Sequence, residues 1–171
     1  MRIDLEKLEE SSGRFSGTYE VGQLSLDEPA LTFITATDVQ GRANRKDGAV
    51  ELSGELHAKL AGSCARCLKK VELAINVEFT ERFVRAVDWR NEEQHELQKE
   101  DLDLAVFDGE GIELDDLVKE EILLAVPGQV LCNEDCKGLC PICGIDRNEA
   151  TCTCESNVVD QRWEKLKDFR F

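Results

Sequence analysis

The chain has 171 residues and a mass of 19.2 kDa, with 36 acidic against 21 basic side chains, a formal charge of −15 and eight cysteines. At 42% hydrophobic and 33% charged, it is too rich in core-forming residues for a disordered acidic tail. It is also too acidic for a protein that wraps bare nucleic acid, because neutralising phosphates supplies most non-specific affinity.

In chain order, the Thr-, Phe- and Ile-rich run from Ala30 to Val39 predicts a strand. Gln40 to Ala49, with Gly41, Asp47 and Gly48, predicts a loop. From Val50 to Leu60 the even positions (Val50, Leu52, Leu56, Ala58, Leu60) are apolar and the odd ones polar, the pattern of a strand with one face on a core. From Val71 to Phe79 the apolar set moves to odd positions: Val71, Leu73, Ile75, Val77 and Phe79. The segment between these strands is too short for a crossover helix, so they should pair antiparallel with Cys64 and Cys67 at the hairpin tip. Asp88 to Asp103 is polar and predicts a surface loop or exposed insert. Leu114, Leu117, Val118, Ile122 and Ala125 then recur at helical spacing, with Asp115 and Asp116 suited to a first turn and Pro127-Gly128 to a stop. Val159, Trp163, Leu166 and Phe169, with Asp160 as N-cap, predict a terminal helix.

The predicted fold class is α+β: a mainly antiparallel sheet with a central helix, a C-terminal cysteine-rich zinc-binding loop and a terminal helix. The predicted division is a β-rich domain over 1–126, and over 127–171 a metal-binding segment packed on it. Charge is local as well. Residues 86–126 carry 3 basic and 14 acidic side chains, whereas 41–85, around the first cysteine pair, carry 9 basic and 6 acidic ones.

The start, Met1-Arg2-Ile3-Asp4-Leu5-Glu6, has no apolar signal region. No stretch of about 18 apolar residues occurs anywhere. The expectation is a cytoplasmic protein with no membrane partner, where cysteines serve metal or redox chemistry rather than disulfides. The cysteines run Cys64-x2-Cys67, then Cys132-x3-Cys136-x3-Cys140-x2-Cys143-x8-Cys152-x-Cys154. Zinc takes four soft ligands in a tetrahedron, and a tight turn supplies two thiolates at little entropic cost. Gly138, Pro141 and Gly144 give the Cys140–Cys143 turn the composition of a zinc knuckle. The preferred partition is two structural zinc sites, Cys140, Cys143, Cys152 and Cys154 in one, Cys64, Cys67, Cys132 and Cys136 in the other. Taking all four ligands from Cys132 to Cys143 is the alternative, and it leaves the outer pairs to find each other. Reduced, simply buried cysteines and iron–sulfur ligation are the competing readings; the spacings match neither common ferredoxin run. Thioredoxin-type chemistry needs its C-x-x-C at a helix N-terminus, but a strand follows Cys67.

No catalytic constellation stands out. H-E-x-x-H, G-x-S-x-G, P-loop and G-x-G-x-x-G motifs are absent. His57 lies on the polar face of a strand and His95 in the acidic stretch. Asp115/Asp116 and Glu120/Glu121 are neighbours on a helix, where adjacent side chains diverge by about 100°. All-thiolate zinc sites are closed and structural.

The run Ile122-Leu123-Leu124-Ala125-Val126-Pro127 followed by Leu131 to Gly144, with its four cysteines, resembles the bacterial and chloroplast YceD-like family. Ser63-Cys64-Ala65-Arg66-Cys67-Leu68 is similar to the same family's C-x-R-C-L element, and Asp160 to Leu166 to its terminal helix. The resemblance implies a non-enzymatic factor needed for 23S ribosomal RNA accumulation and large-subunit assembly. Its partner would be a pre-ribosomal large-subunit particle or a basic ribosomal protein, the latter met by the acidic stretch. A local 23S rRNA contact through Arg66, Lys69 and Lys70, with Lys59, Arg82 and Arg85 nearby, is a rival to that protein contact. The plainer readings are that Arg66, Lys69 and Lys70 offset the negative charge of the zinc–thiolate centre beside them, and that the acidic stretch is a solvated surface. The alternative function is a zinc-dependent regulator or redox sensor whose thiolates release metal.

Overall fold

The computed structural model describes residues 1–5, 12–46, 48–90, 104–154 and 162. Its strands are β1 (Arg2–Asp4), β2 (Ser12–Tyr19), β3 (Thr32–Phe33), β4 (Thr37–Lys46), β5 (Ala49–Ser63), β6 (Lys70–Arg85), β7 (Leu104–Phe107) and β8 (Gly111–Glu113), and its helices are α1 (Ala86–Arg90) and α2 (Leu114–Ala125). The main sheet has the order β2-β4-β5-β6-β7, with β3 beside β5 beyond the end of β4. A separate ribbon pairs β1 with β8. The fold is thus mixed α+β and mostly sheet.

The long β5–β6 hairpin is the backbone of the molecule. It pairs antiparallel from Val50↔Phe83 to Ser63↔Lys70, as the opposed alternations require. The even positions Leu52, Leu56 and Leu60 of β5 are fully buried, and so are Leu114, Val118 and Ile122 of α2, which packs against β6 and β1. Each such side chain contributes about 2 kcal/mol of transfer free energy. Asp115 and Asp116 lie in the first turn of α2, where carboxylates meet the positive end of the helix dipole. Asp115 also accepts a hydrogen bond from the Tyr19 hydroxyl at 2.8 Å. Ala125, expected on the apolar face, is exposed, because the last turn of the helix runs past the edge of the core.

Three expectations need correction. Ala30 to Val39 is not one strand: β3 ends at Phe33 and β4 begins at Thr37. The predicted loop Gln40 to Ala49 is mostly β4, and Lys46 already pairs with Ala49. Gly41 misled as a loop signal; it faces Gly54 in the ladder, and a Cβ there would lie 2.6 Å from the Phe15 ring. The glycine makes room for an aromatic cover, not for a turn. Asp88 does not begin the predicted loop or exposed insert, since it belongs to α1, and the rest of that stretch from 91 to 103 lies outside the described residues. Within the sheet, β6 and β7 pair in parallel while every other ladder among the described residues is antiparallel, which leaves the expectation of a mainly antiparallel sheet uncontradicted. The predicted terminal helix (Val159, Asp160, Trp163, Leu166, Phe169) and His95 lie outside the described residues.

Candidate metal centres

The two C-x2-C turns are built alike. Between β5 and β6, the Cys64 N–H donates to Lys69 O at 2.8 Å and the Leu68 N–H to Cys64 O at 2.9 Å. In the C-terminal loop, the Cys140 N–H donates to Ile145 O at 2.8 Å and the Gly144 N–H to Cys140 O at 2.9 Å. The fifth residue of each turn is left-handed, Leu68 at φ 62° and Gly144 at φ 75°. Such turns aim both thiols, and several backbone N–H groups, to one side. The cysteine two turns later in the first set is placed by an Asn turn: the Asp135 N–H donates to Asn133 Oδ1 at 2.9 Å and the Cys136 N–H to Asn133 O at 3.0 Å.

Folding brings the eight cysteines into two groups, Cys64, Cys67, Cys132 and Cys136, and Cys140, Cys143, Cys152 and Cys154, with the sulfurs of each group all within 4.8 Å of one another. Cys64 and Cys136 Sγ are 3.8 Å apart, and Cys67 and Cys132 Sγ are 3.5 Å apart. A tetrahedron of sulfurs about 2.3 Å from a zinc ion has edges of about 3.8 Å. The donor set therefore fits a metal ion, and four thiolates leave no open coordination position. Cys64, Cys67 and Cys136 are buried and Cys132 is exposed; in the second group Cys140 is buried, Cys152 and Cys154 are half-buried and Cys143 is exposed.

Electrostatics point the same way. The Cys67 N–H holds the Cys64 thiol down to about 6, and the N–H groups of Cys143 and Ile142 hold Cys140 down to about 6. In the same groups, the hydrogen bond with Cys67 pushes Cys132 up to about 12, and that with Cys143 pushes Cys154 up to about 12. Each group favours a first thiolate and resists the last one. A cation removes that resistance.

The loop that carries the second group is tied to the hairpin tip. The Leu139 N–H donates to Arg66 O at 3.0 Å and the Ala65 N–H to Val130 O at 2.8 Å. Gly138 sits at φ 71°, and a Cβ there would lie 2.9 Å from Arg66 O. Arg66 Nη1 donates to Cys136 O at 2.8 Å and Glu134 O at 3.2 Å. Lys69 Nζ lies 2.7 Å from Glu149 Oε1 and 3.1 Å from Asp146 Oδ2, and those carboxylates raise its pKa. Two of the three cations of the rival RNA reading, Arg66 and Lys69, thus clasp the chain's own loop while staying exposed, as Lys70, Lys59, Arg82 and Arg85 also are.

Sequence reasoning missed Asp146 and Asn148, which sit in an ordinary polar stretch. Asn148 donates through Nδ2 to Cys136 Sγ at 3.4 Å and to Asp146 Oδ1 at 2.7 Å, and accepts the Lys137 N–H at 2.8 Å. The only available signal was Asp-x-Asn after a knuckle, a pattern common in turns. His57 is exposed and pairs with Asn76 Oδ1 at 2.8 Å. No helix among the described residues is long and apolar enough to cross a membrane.

Comparison with known proteins gives the architecture a family. An uncharacterized protein of Mycobacterium tuberculosis is 28% identical over 170 residues, covering 97% of this chain and 79% of its own. The uncharacterized protein YlbN of Bacillus subtilis is 27% identical over 164 residues, covering 95% of this chain and 91% of its own. No solved structure matches the chain with significance. Residues 52–170, from near the start of β5 through both cysteine groups, match the family model described as large ribosomal RNA subunit accumulation protein YceD, and the chain belongs to that family.

Proposed function

We propose that this protein is a non-enzymatic, cytoplasmic factor for 23S rRNA accumulation and large-subunit assembly, held in shape by two structural zinc ions. The observation that carries this is the pair of closed, all-cysteine groups in a chain of the YceD family. Cys64, Cys67, Cys132 and Cys136 hold one ion, and Cys140, Cys143, Cys152 and Cys154 the other. Zinc supplies folding free energy at such sites and leaves no position for a substrate. Residues 1–126 form the β-rich unit, and 127–171 the metal-binding segment packed on it.

The partner is a pre-ribosomal large-subunit particle, engaged through a basic ribosomal protein. The described part of the acidic stretch supports this: a groove of about 380 Å³ has Asp108, Glu113, Asp116 and Glu120, joined by Glu81 of β6, around Phe83 and Leu117. That lining complements a basic segment with an apolar residue or two. The rival RNA contact loses ground because Arg66 and Lys69 are engaged within the chain. In cells lacking this chain, reintroducing it with Cys64→Ser and Cys67→Ser should leave the 23S-to-16S ratio low, while the wild-type chain restores it. Full restoration by the variant would overturn the structural-zinc part. Absence of any rRNA defect in the deletion would overturn the assembly part. A second reading, a redox sensor, draws on the exposure of Cys132 and Cys143. It requires reversible zinc release by mild peroxide, and retention of zinc under that treatment removes it.

A further inference from the structure

The two cysteine groups are not independent modules. Eight residues lie between Cys143 and Cys152, so this short segment is closed at both ends by cysteines of the second group. Its middle reaches the first group. Asn148 places Nδ2 at 3.4 Å from Cys136 Sγ. The same side chain is braced twice: its Oδ1 accepts the Lys137 N–H at 2.8 Å, and its Nδ2 also donates to Asp146 Oδ1 at 2.7 Å. The backbone is braced as well, by the Asn148 N–H to Asp146 Oδ1 at 2.8 Å and the Arg147 N–H to Gly138 O at 2.9 Å. Lys69, from the first knuckle, grips Asp146 and Glu149 on either side.

We infer that Asn148 is a positioning residue for the first metal site, and that through it filling of the second site tightens metal binding at the first. This rests on the proposed zinc occupancy of both groups. An N–H donated to a ligating sulfur stabilises the thiolate and fixes its direction, and loss of an outer-shell partner of this kind typically costs 10–100-fold in metal affinity. A metal at the second site holds Cys152 and Cys154 against Cys140 and Cys143, which fixes the ends of the segment and hence the amide. Without that ion the two ends of the segment are no longer tied to each other, only its hydrogen bonds and the Lys69 ion pairs hold it, and the donor spends less time on Cys136. Linkage makes the effect reciprocal: metal at the first site must tighten the second by the same factor.

The test is competitive zinc titration of the full chain against a chromophoric chelator, with cobalt(II) substitution to read thiolate ligation optically. Wild type should bind two ions. Asn148→Ala should weaken one site by about 10–100-fold, and Asn148→Asp, which keeps an acceptor for Lys137 but loses the N–H on sulfur, should weaken the same site. Disabling the second site with Cys152→Ser and Cys154→Ser should weaken the remaining site comparably. Adding Asn148→Ala to that variant should then cost less than about threefold more, because both changes remove one contact. Wild-type affinity in Asn148→Ala, or losses that simply multiply in the combined variant, would overturn the coupling while leaving the zinc sites standing. A wild-type chain that binds fewer than two ions would overturn the zinc reading itself, and the coupling with it.

Discussion

In the first cysteine group a knuckle at the tip of the β5–β6 hairpin meets cysteines 65 and 72 residues further on; in the second, an equivalent knuckle meets cysteines of the same short loop. The turns are nearly superimposable in hydrogen bonding, so the difference lies in what each closes. Closing the longer loop costs about 2 kcal/mol more chain entropy than closing the shorter one. That cost is met by burial: three of the first four thiols are buried, against one of the second four. Arg66, Lys69 and Gly138 add polar and close backbone contacts at the same junction. The first group is a tertiary clasp that fastens the C-terminal segment to the sheet. The second organises that segment internally.

The comparison breaks most easily at the clasp. Cys64→Ser with Cys67→Ser should lose one zinc, lower the midpoint of thermal unfolding on the order of 10 °C or more, and open residues 127–154 to limited proteolysis. Cys152→Ser with Cys154→Ser should also lose one zinc, yet leave the junction near Val130 protected. Equal proteolysis of both variants would erase the distinction between clasp and local loop.

Glycines sharpen it next. Gly138→Ala combines a positive φ with a Cβ 2.9 Å from Arg66 O and should cost about 2 kcal/mol in urea unfolding. Gly144→Ala shares the positive φ but meets nothing within 4 Å, so about 1 kcal/mol is expected. An equal cost at the two positions would mean that the Arg66 contact is not tight.

Asp146→Ala should lower the urea midpoint less than Gly138→Ala does. The Asn148 N–H and Lys69 hold the Asp146 carboxyl below its ordinary value. A depressed folded pKa stabilises fully above the unfolded value of about 3.9, and that stabilisation is lost as pH falls through the lower folded value. The gap between wild type and variant should therefore be constant near neutrality and close only in strong acid. A gap that closes instead as pH rises would contradict the assignment. Smallest is Leu68→Gly at the left-handed position that Gly144 fills in the other knuckle. Relief of strain and loss of unfolded-state order nearly cancel, so stability should change by about 0.5 kcal/mol or less, as thermal unfolding would register.

Legibility followed the strength of local pattern. The β5–β6 hairpin and α2 could be read because their apolar periods are long and unbroken. β2 (Ser12–Tyr19) could not, since small and polar residues separate Phe15 from Tyr19 and its register is set by β4 alone. The parallel β7 depends on where the chain returns after residues 91–103, and no local signal encodes that. Cysteine spacing suggested the grouping that folding produces, because two knuckles each need two more thiols. Asn148 was invisible because an asparagine in a turn looks the same whether or not it faces a sulfur from a different part of the chain.

Two zinc ions, each held by its own four cysteines, are tested most directly by elemental analysis of the purified full chain and two paired variants. Wild type should carry two zinc ions. Cys64→Ser with Cys132→Ser, both in the first group, should carry one, whereas Cys64→Ser with Cys140→Ser, one in each group, should carry none or nearly none. If the cross-group pair retained one full ion, or if wild type carried fewer than two, the division into two structural sites would be contradicted.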